Sequence, residues 1–102
     1  MSKEAFDYIL IVAGKKVVLK HRLPVSEGHL LPQLLKETVG GDLRTNIPVC
    51  QMLIESWEFP GSPQDPASYE ALDTLSEMLP LAKLLGEHVV ARAGLTTDNV
   101  KN

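Results

Sequence analysis

The sequence is short of the residues from which chemical sites are usually built. It has a single cysteine, Cys50, and three histidines, His21, His29 and His88, each on a different segment. One thiol closes no disulfide within the chain and makes no cysteine-based zinc site alone. The formal net charge is −3, which argues against a dedicated nucleic-acid binder, since such domains carry a basic excess. Aromatic residues are few, with one Trp, two Tyr and two Phe, so the core must be built largely from Leu, Val and Ile. The longest apolar run, Tyr8 to Ala13, falls far short of the roughly 20 residues of a spanning helix. The opening Met1-Ser2-Lys3-Glu4-Ala5 lacks the apolar region of a secretory signal. The expectation is a cytoplasmic protein, or one made in the cytoplasm and later assembled elsewhere, without a membrane partner.

What is present reads as an α+β domain. A chain of 102 residues makes one domain and not two, here 1–94, with 95–102 lacking periodicity and read as a flexible tail. Residues 6–13 are rich in Ile, Val and Tyr and form a strand candidate. With Gly14-Lys15 as a two-residue turn, a second strand over 16–22 pairs Val12 with Val17, Leu10 with Leu19 and Tyr8 with His21. Opposed residues share a face, so this face meets the core. The other carries Ile9 and Ile11 beside Val18 and Lys20, half apolar and half charged, which suggests cover by another element or another copy of the chain.

Leu23-Pro24 ends the hairpin, and Ser26 is the expected cap of a helix. Leu30, Leu31, Leu34, Leu35 and Val39 recur at helical spacing. Pro32 marks either the first turn of a shorter helix or a kink in a longer one. Gly40-Gly41 stops it. Asn46 is the expected cap of the next helix, with Pro48 in its first turn and Ile47, Cys50, Leu53 and Ile54 on one stripe. That helix runs straight into Ser56–Phe59, where Trp57 and Phe59 stand at strand spacing. A third strand there would support a hairpin that is marginal alone. Pro60 to Pro66 is a loop, and Asp65-Pro66 reads as cap and first residue of a short helix through Leu72. The last helix runs from near Ser76 to Ala93, ends at Gly94, and bears Met78, Leu81, Leu84, Leu85 and Val89. The layout is thus an N-terminal antiparallel hairpin, with a possible third strand near residues 56–59, packed on three to four helices.

No catalytic residues, cofactor site or metal site emerge. Cys50 lies on an apolar stripe, where an inert buried thiol is the ordinary state. Glu87-His88 lacks the second histidine of a zinc-protease helix, since Arg92 stands in its place. Ser26 and His29 lie three apart, without a nucleophile elbow around them. His88 is expected at the edge of its helix stripe and His21 on the surface. Lys15, Lys16, Lys20, His21 and Arg22 make the hairpin basic. They either meet phosphates or an acidic partner, or they guard an exposed strand edge, and the second reading is preferred. Asp65, Glu70, Asp73 and Glu77 give the fourth helical region an acidic surface, read as a solvated face or as a patch that meets the basic hairpin of another copy. The candidate partner-binding residues are Ile9, Ile11, Val18, Lys20, Arg22, Trp57 and Phe59.

The order of parts resembles a known group. A strand leads through Val17-Val18-Leu19-Lys20-His21-Arg22-Leu23-Pro24-Val25-Ser26-Glu27-Gly28 into an apolar helix. A second helix reaches Leu53-Ile54-Glu55-Ser56-Trp57-Glu58-Phe59-Pro60-Gly61. Asp65-Pro66-Ala67-Ser68-Tyr69-Glu70-Ala71-Leu72-Asp73 then leads to a Leu-rich final helix. Over residues 6–93 this is similar to the tail assembly chaperone-like proteins encoded among the tail genes of long-tailed bacteriophages and prophages. The resemblance implies a non-enzymatic, self-associating factor in the bacterial host cytoplasm that binds the tape measure protein and recruits tail tube subunits. It carries over only Trp57 and its neighbours. Pro32 and Pro80 depart from an all-helical version of that group. The runner-up is a structural virion component such as a head–tail connector, and a small enzyme or a nucleic-acid-binding regulator is a more distant third.

Overall fold

In the computed structural model, residues 8–94 are described; the expected tail, 95–102, and the first residues of the expected first strand lie outside them. The chain forms an α+β fold. The elements run β1 (Ile9–Val12), β2 (Lys15–Leu19), α1 (Val25–Gly28), α2 (Leu31–Thr38), a 3-10 turn (Leu43–Asn46), α3 (Ile47–Leu53), β3 (Ile54–Trp57), α4 (Pro66–Glu70), a π-turn (Thr74–Met78) and α5 (Leu79–Arg92). The strands make one antiparallel sheet in the order β1-β2-β3, so β2 is central.

The hairpin turn is Ala13-Gly14 and not Gly14-Lys15. Ala13 has φ +52° and Gly14 φ +78°, two left-handed residues in succession, as the mirror-image turns that match strand twist require. The register becomes Ile9 opposite Val18, Leu10 opposite Val17, Ile11 opposite Lys16 and Val12 opposite Lys15. It differs by two residues from the expected one. A slip of two leaves every side chain on its face, so Leu10, Val12, Val17 and Leu19 still point inward while Ile9, Ile11 and Val18 point out.

The third strand is real and begins two residues before the expected Ser56. Val17 opposes Trp57, Val18 opposes Ser56 and Leu19 opposes Ile54, with an irregularity at Val18/Leu19. Glu55 is the extra residue of this bulge, which keeps Ile54 on the buried side and turns Glu55 to solvent. The core comprises Val12, Val17, Leu19 and Ile54 of the sheet, Ile47, Val49, Cys50 and Leu53 of α3, Phe59, Tyr69 of α4, and Met78, Leu81, Leu85 and Val89 of the last helical region.

Helix ends follow local chemistry, with two exceptions. Pro32, Pro48, Pro66 and Pro80 all stand in first turns, where a missing N–H costs nothing. Asp65 accepts from the Ala67 N–H at 3.0 Å, as a cap should. Gly40 (φ +81°) and Gly94 (φ +74°) close their helices in the left-handed region. Ser26 is not a cap: Pro24, at φ −58° and already extended, precedes the first turn, and its carbonyl accepts from Glu27 and Gly28. Asn46 precedes α3 but makes no cap bond. The 3-10 turn delivers it already helical, and Asp42 caps that turn through the Arg44 N–H at 2.9 Å. Ahead of α5, Asp73 accepts from the Ser76 N–H at 2.8 Å while Glu77 accepts from the Asp73 N–H at 2.7 Å. This is a reciprocal box stretched by one residue because the turn is π.

Candidate interaction surface

The seven expected partner-binding residues divide between the two faces of the sheet. Ile9 and Ile11 lie on the outer face at 50% and 57% exposure, with half-buried Val18 beside Ile9 on the next strand. They form a short apolar patch on strands otherwise bordered by exposed Lys16, Ser56 and Glu58. Glu58 is tied down, since its Oε1 accepts from the Lys16 N–H at 2.7 Å. Lys20 lies at the far end of β2, half-buried, with its carbonyl accepting from Arg92 Nη1 at 2.6 Å. Arg22 is exposed beyond the strand.

Trp57 and Phe59 do not belong to that patch. Phe59 is buried at 4% exposure. Trp57 opposes inward-facing Val17 and meets Phe59 and Tyr69 at ring separations of 5.4 Å and 4.8 Å. Its indole N–H donates to the Gly61 carbonyl at 2.9 Å, and the Tyr69 hydroxyl donates to Pro63 at 2.7 Å. Gln64 donates to the Ile54 carbonyl at 2.9 Å. Together these bonds fasten the proline-rich loop over β3 and α4. Gly61, at φ +82°, admits no side chain, because a Cβ would overlap the Ser68 hydroxyl.

The lysines of the hairpin do not guard a sheet edge. Lys15 and Lys16 are on β2, which is paired on both sides. The edges are β1 and β3, and the four residues of β1 carry no charge and no proline. The edge-guarding reading of these lysines failed on topology: two strands cannot show which will receive the third.

The remaining polar groups sit apart from one another. Cys50 is fully buried on α3, and burial pushes its thiol up to about 12. His29 Nδ1 lies 3.1 Å from the Val25 carbonyl, to which it donates when protonated there; Ser26 stands exposed on the same turn. His88 is buried at 4% exposure, not at the stripe edge as expected. It meets Tyr8 edge-on at 5.7 Å and approaches Arg92 at 3.4 Å. Tyr8 also stacks on His21 at 4.0 Å and lies 5.1 Å beneath the Arg92 guanidinium. The expected hairpin had already set Tyr8 opposite His21, but the part played by His88 and Arg92 was missed because they come from a distant segment; the available signal was their four-residue spacing, which puts them on one helix face.

Among the described residues, depressions on the helical side include two near α3. One, of about 340 Å³, lies between the 3-10 turn and α4 and includes Leu43, Ile47, Tyr69 and Met78. Arg44 crosses its rim to Glu70, 2.9 Å from Nε to Oε2. The other is a wide hollow among Leu23, Leu30, Leu34, Pro48 and Met52. Among the described residues no group of three His, Cys, Asp or Glu side chains is placed to hold a metal ion, and no helix is long and apolar enough to cross a membrane. No family model, curated protein or solved structure matches the chain.

Proposed function

We propose that the protein is a non-enzymatic binding factor in bacteriophage tail assembly, acting in the host cytoplasm on the tape measure or tail tube protein and associating with itself. The observation that carries the binding role is the outer sheet face. Ile9 and Ile11 are half-exposed on one strand with Val18 beside them, and neighbouring uncovered apolar side chains on a sheet face mark interaction sites. The phage assignment draws on the order of parts around the Leu53–Gly61 segment. Trp57 in this reading is a structural residue that holds the loop over the sheet and leaves the outer face free to bind.

The test is co-expression with candidate tail proteins followed by affinity capture. The tape measure or tail tube protein is expected to be retained by the unaltered chain and lost with the Ile9→Lys, Ile11→Lys double variant, whose side chains point away from the core. Retention of neither by the unaltered chain would overturn the proposal. Recovery of the protein as a stoichiometric component of purified particles would favour the structural virion reading instead.

A further inference from the structure

The two edges of the sheet are built differently, and the difference identifies an occupant. On β3 the free edge is broken by the Glu55 bulge, and Pro60 follows shortly after its last residue, features that keep edges from pairing. On β1 the run Ile-Leu-Ile-Val has none of these.

The hydrogen-bond phase of the hairpin shows which groups β1 offers. The Leu19 N–H donates to the Tyr8 carbonyl at 2.7 Å, so Tyr8 and Leu19 are a bonded pair. Bonded pairs alternate along an antiparallel ladder. Leu10 with Val17 and Val12 with Lys15 are therefore also bonded, and the N–H and C=O groups of Ile9 and Ile11 point away from β2. The other side of β2 has the opposite phase, since the Lys16 carbonyl accepts from Glu58 and the Lys20 N–H donates to Leu53. Among the described residues no backbone bond reaches the outward groups of Ile9 or Ile11. The same two residues carry the exposed apolar side chains.

The geometry points to a second copy of this chain as the occupant, added antiparallel to β1 about a two-fold axis at Leu10. This rests on the reading of the outer sheet face as a binding surface and names what binds there first. With the axis at Leu10, Ile9 opposes Ile11 of the second copy and the two exchange both bonds, as do Ile11 and Ile9 of the second copy. An axis between residues would set Leu10, whose groups already point to β2, against those of Ile11 and leave bonds unmade. An isologous contact is self-complementary by construction. Along the outer face the joined sheet reads Val18, Ile9, then Ile11 and Lys16 of the second copy, so four isoleucines meet at the centre. Each Lys16 stands outside its own copy's Ile11, and no like charges are opposed. An uncharged strip meets an uncharged strip, with the lysines at its margins.

A standard stable interface buries about 1,600 Å² in total. A four-residue edge with two isoleucines per copy covers less, so the dimer forms and dissociates with concentration. Sedimentation velocity from micromolar to near-millimolar protein is expected to show the dimer fraction rising. Ile11→Pro removes an N–H that makes no bond within the hairpin, and it should weaken association by about tenfold or more while circular dichroism shows the fold retained. Amide exchange on the unaltered chain decides independently of any variant. Ile9 and Ile11 amides should slow as concentration rises, whereas Leu10 and Val12 amides should be protected throughout. A chain that stays monomeric at every concentration, or a dimer whose Ile9 and Ile11 amides exchange as fast as in the monomer, overturns the inference. Capture of a tail protein by a strictly monomeric chain would sink this dimer and leave the binding role standing.

Discussion

Two helical regions of this protein show opposite relations between pattern and burial. The segment from Val25 to Val39 has a clean amphipathic repeat in α2, yet α1 and α2 contribute no buried residue. Leu31, Leu34 and Leu35 are only partly covered, and Val25 and Val39 stand 80% and 83% exposed at either end. In α5 the apolar residues are spread more widely round the helix, and Leu81, Leu85, His88 and Val89 are all buried. A one-sided stripe tells which way a helix faces. It does not tell how much lies on top of it. α5 packs beneath the sheet against β1, whereas the segment from Val25 to Val39 forms an arm laid against α3.

That contrast can be broken most directly by cavity mutations. Leu81→Ala should cost about 2–5 kcal/mol, read as a shift in denaturation midpoint, while Leu34→Ala on the arm should cost less, about 1–2 kcal/mol, because that side chain is only partly buried. Comparable losses at the two sites would mean that the arm is as deeply seated as α5. The glycines offer the next largest difference. Gly40 and Gly61 both have positive φ, so alanine at either costs about 1–2 kcal/mol of backbone strain. Open space surrounds Gly40, whereas Gly61 meets Ser68. Gly61→Ala should therefore lower the melting temperature further than Gly40→Ala, and equal shifts would show that the proline-rich loop gives way.

Smaller effects appear in pH dependence. The buried Cys50 thiol is held at about 12 against an ordinary 9.0, so the unfolded chain ionises first. Stability is complete below about 9 and is lost as the pH rises from there toward about 12. The unfolding midpoint of the unaltered chain should fall more steeply over that range than that of Cys50→Ala, and identical slopes would place the thiol in contact with water. The smallest effect belongs to Asp73 at the head of α5. Bonds from Ser76 hold its carboxyl below the usual carboxylate value. Its contribution is present above the unfolded carboxylate pKa and disappears as acid titrates the folded carboxyl. The melting-temperature gap between the unaltered chain and Asp73→Ala should close as the pH is lowered; a gap that persisted in acid would assign it to something other than the carboxylate.

Much of the fold was legible from residues whose effect is local. The prolines in first turns, the Asp65 cap and the glycine stops act within a few positions and were found where expected. The faces of the hairpin were also legible, although the turn was misplaced, because a two-residue error preserves alternation. Ser26 misled because Pro24 fixes the turn two residues earlier than a serine cap would. What stayed hidden depends on partners far along the chain. Whether β2 is an edge or a centre is settled by residues almost forty positions on, at Ser56 and Trp57, and the burial of His88 is settled by Tyr8. The candidate surface was half legible for the same reason. Ile9, Ile11 and Val18 lie side by side on neighbouring strands, while Trp57 and Phe59 share their alternation but were turned inward by the pairing with Val17.

The junction of α3 and β3 has a mechanical consequence. Leu53 is the last residue of the helix and Ile54 the first of the strand, and the Leu53 carbonyl already accepts from Lys20 of the sheet at 2.9 Å. No slack lies between the two elements to serve as a hinge. A load applied to the outer flank of α3, at Pro48 or Met52, has a direct route to the hairpin through the Leu53–Ile54 peptide bond and the Lys20 hydrogen bond.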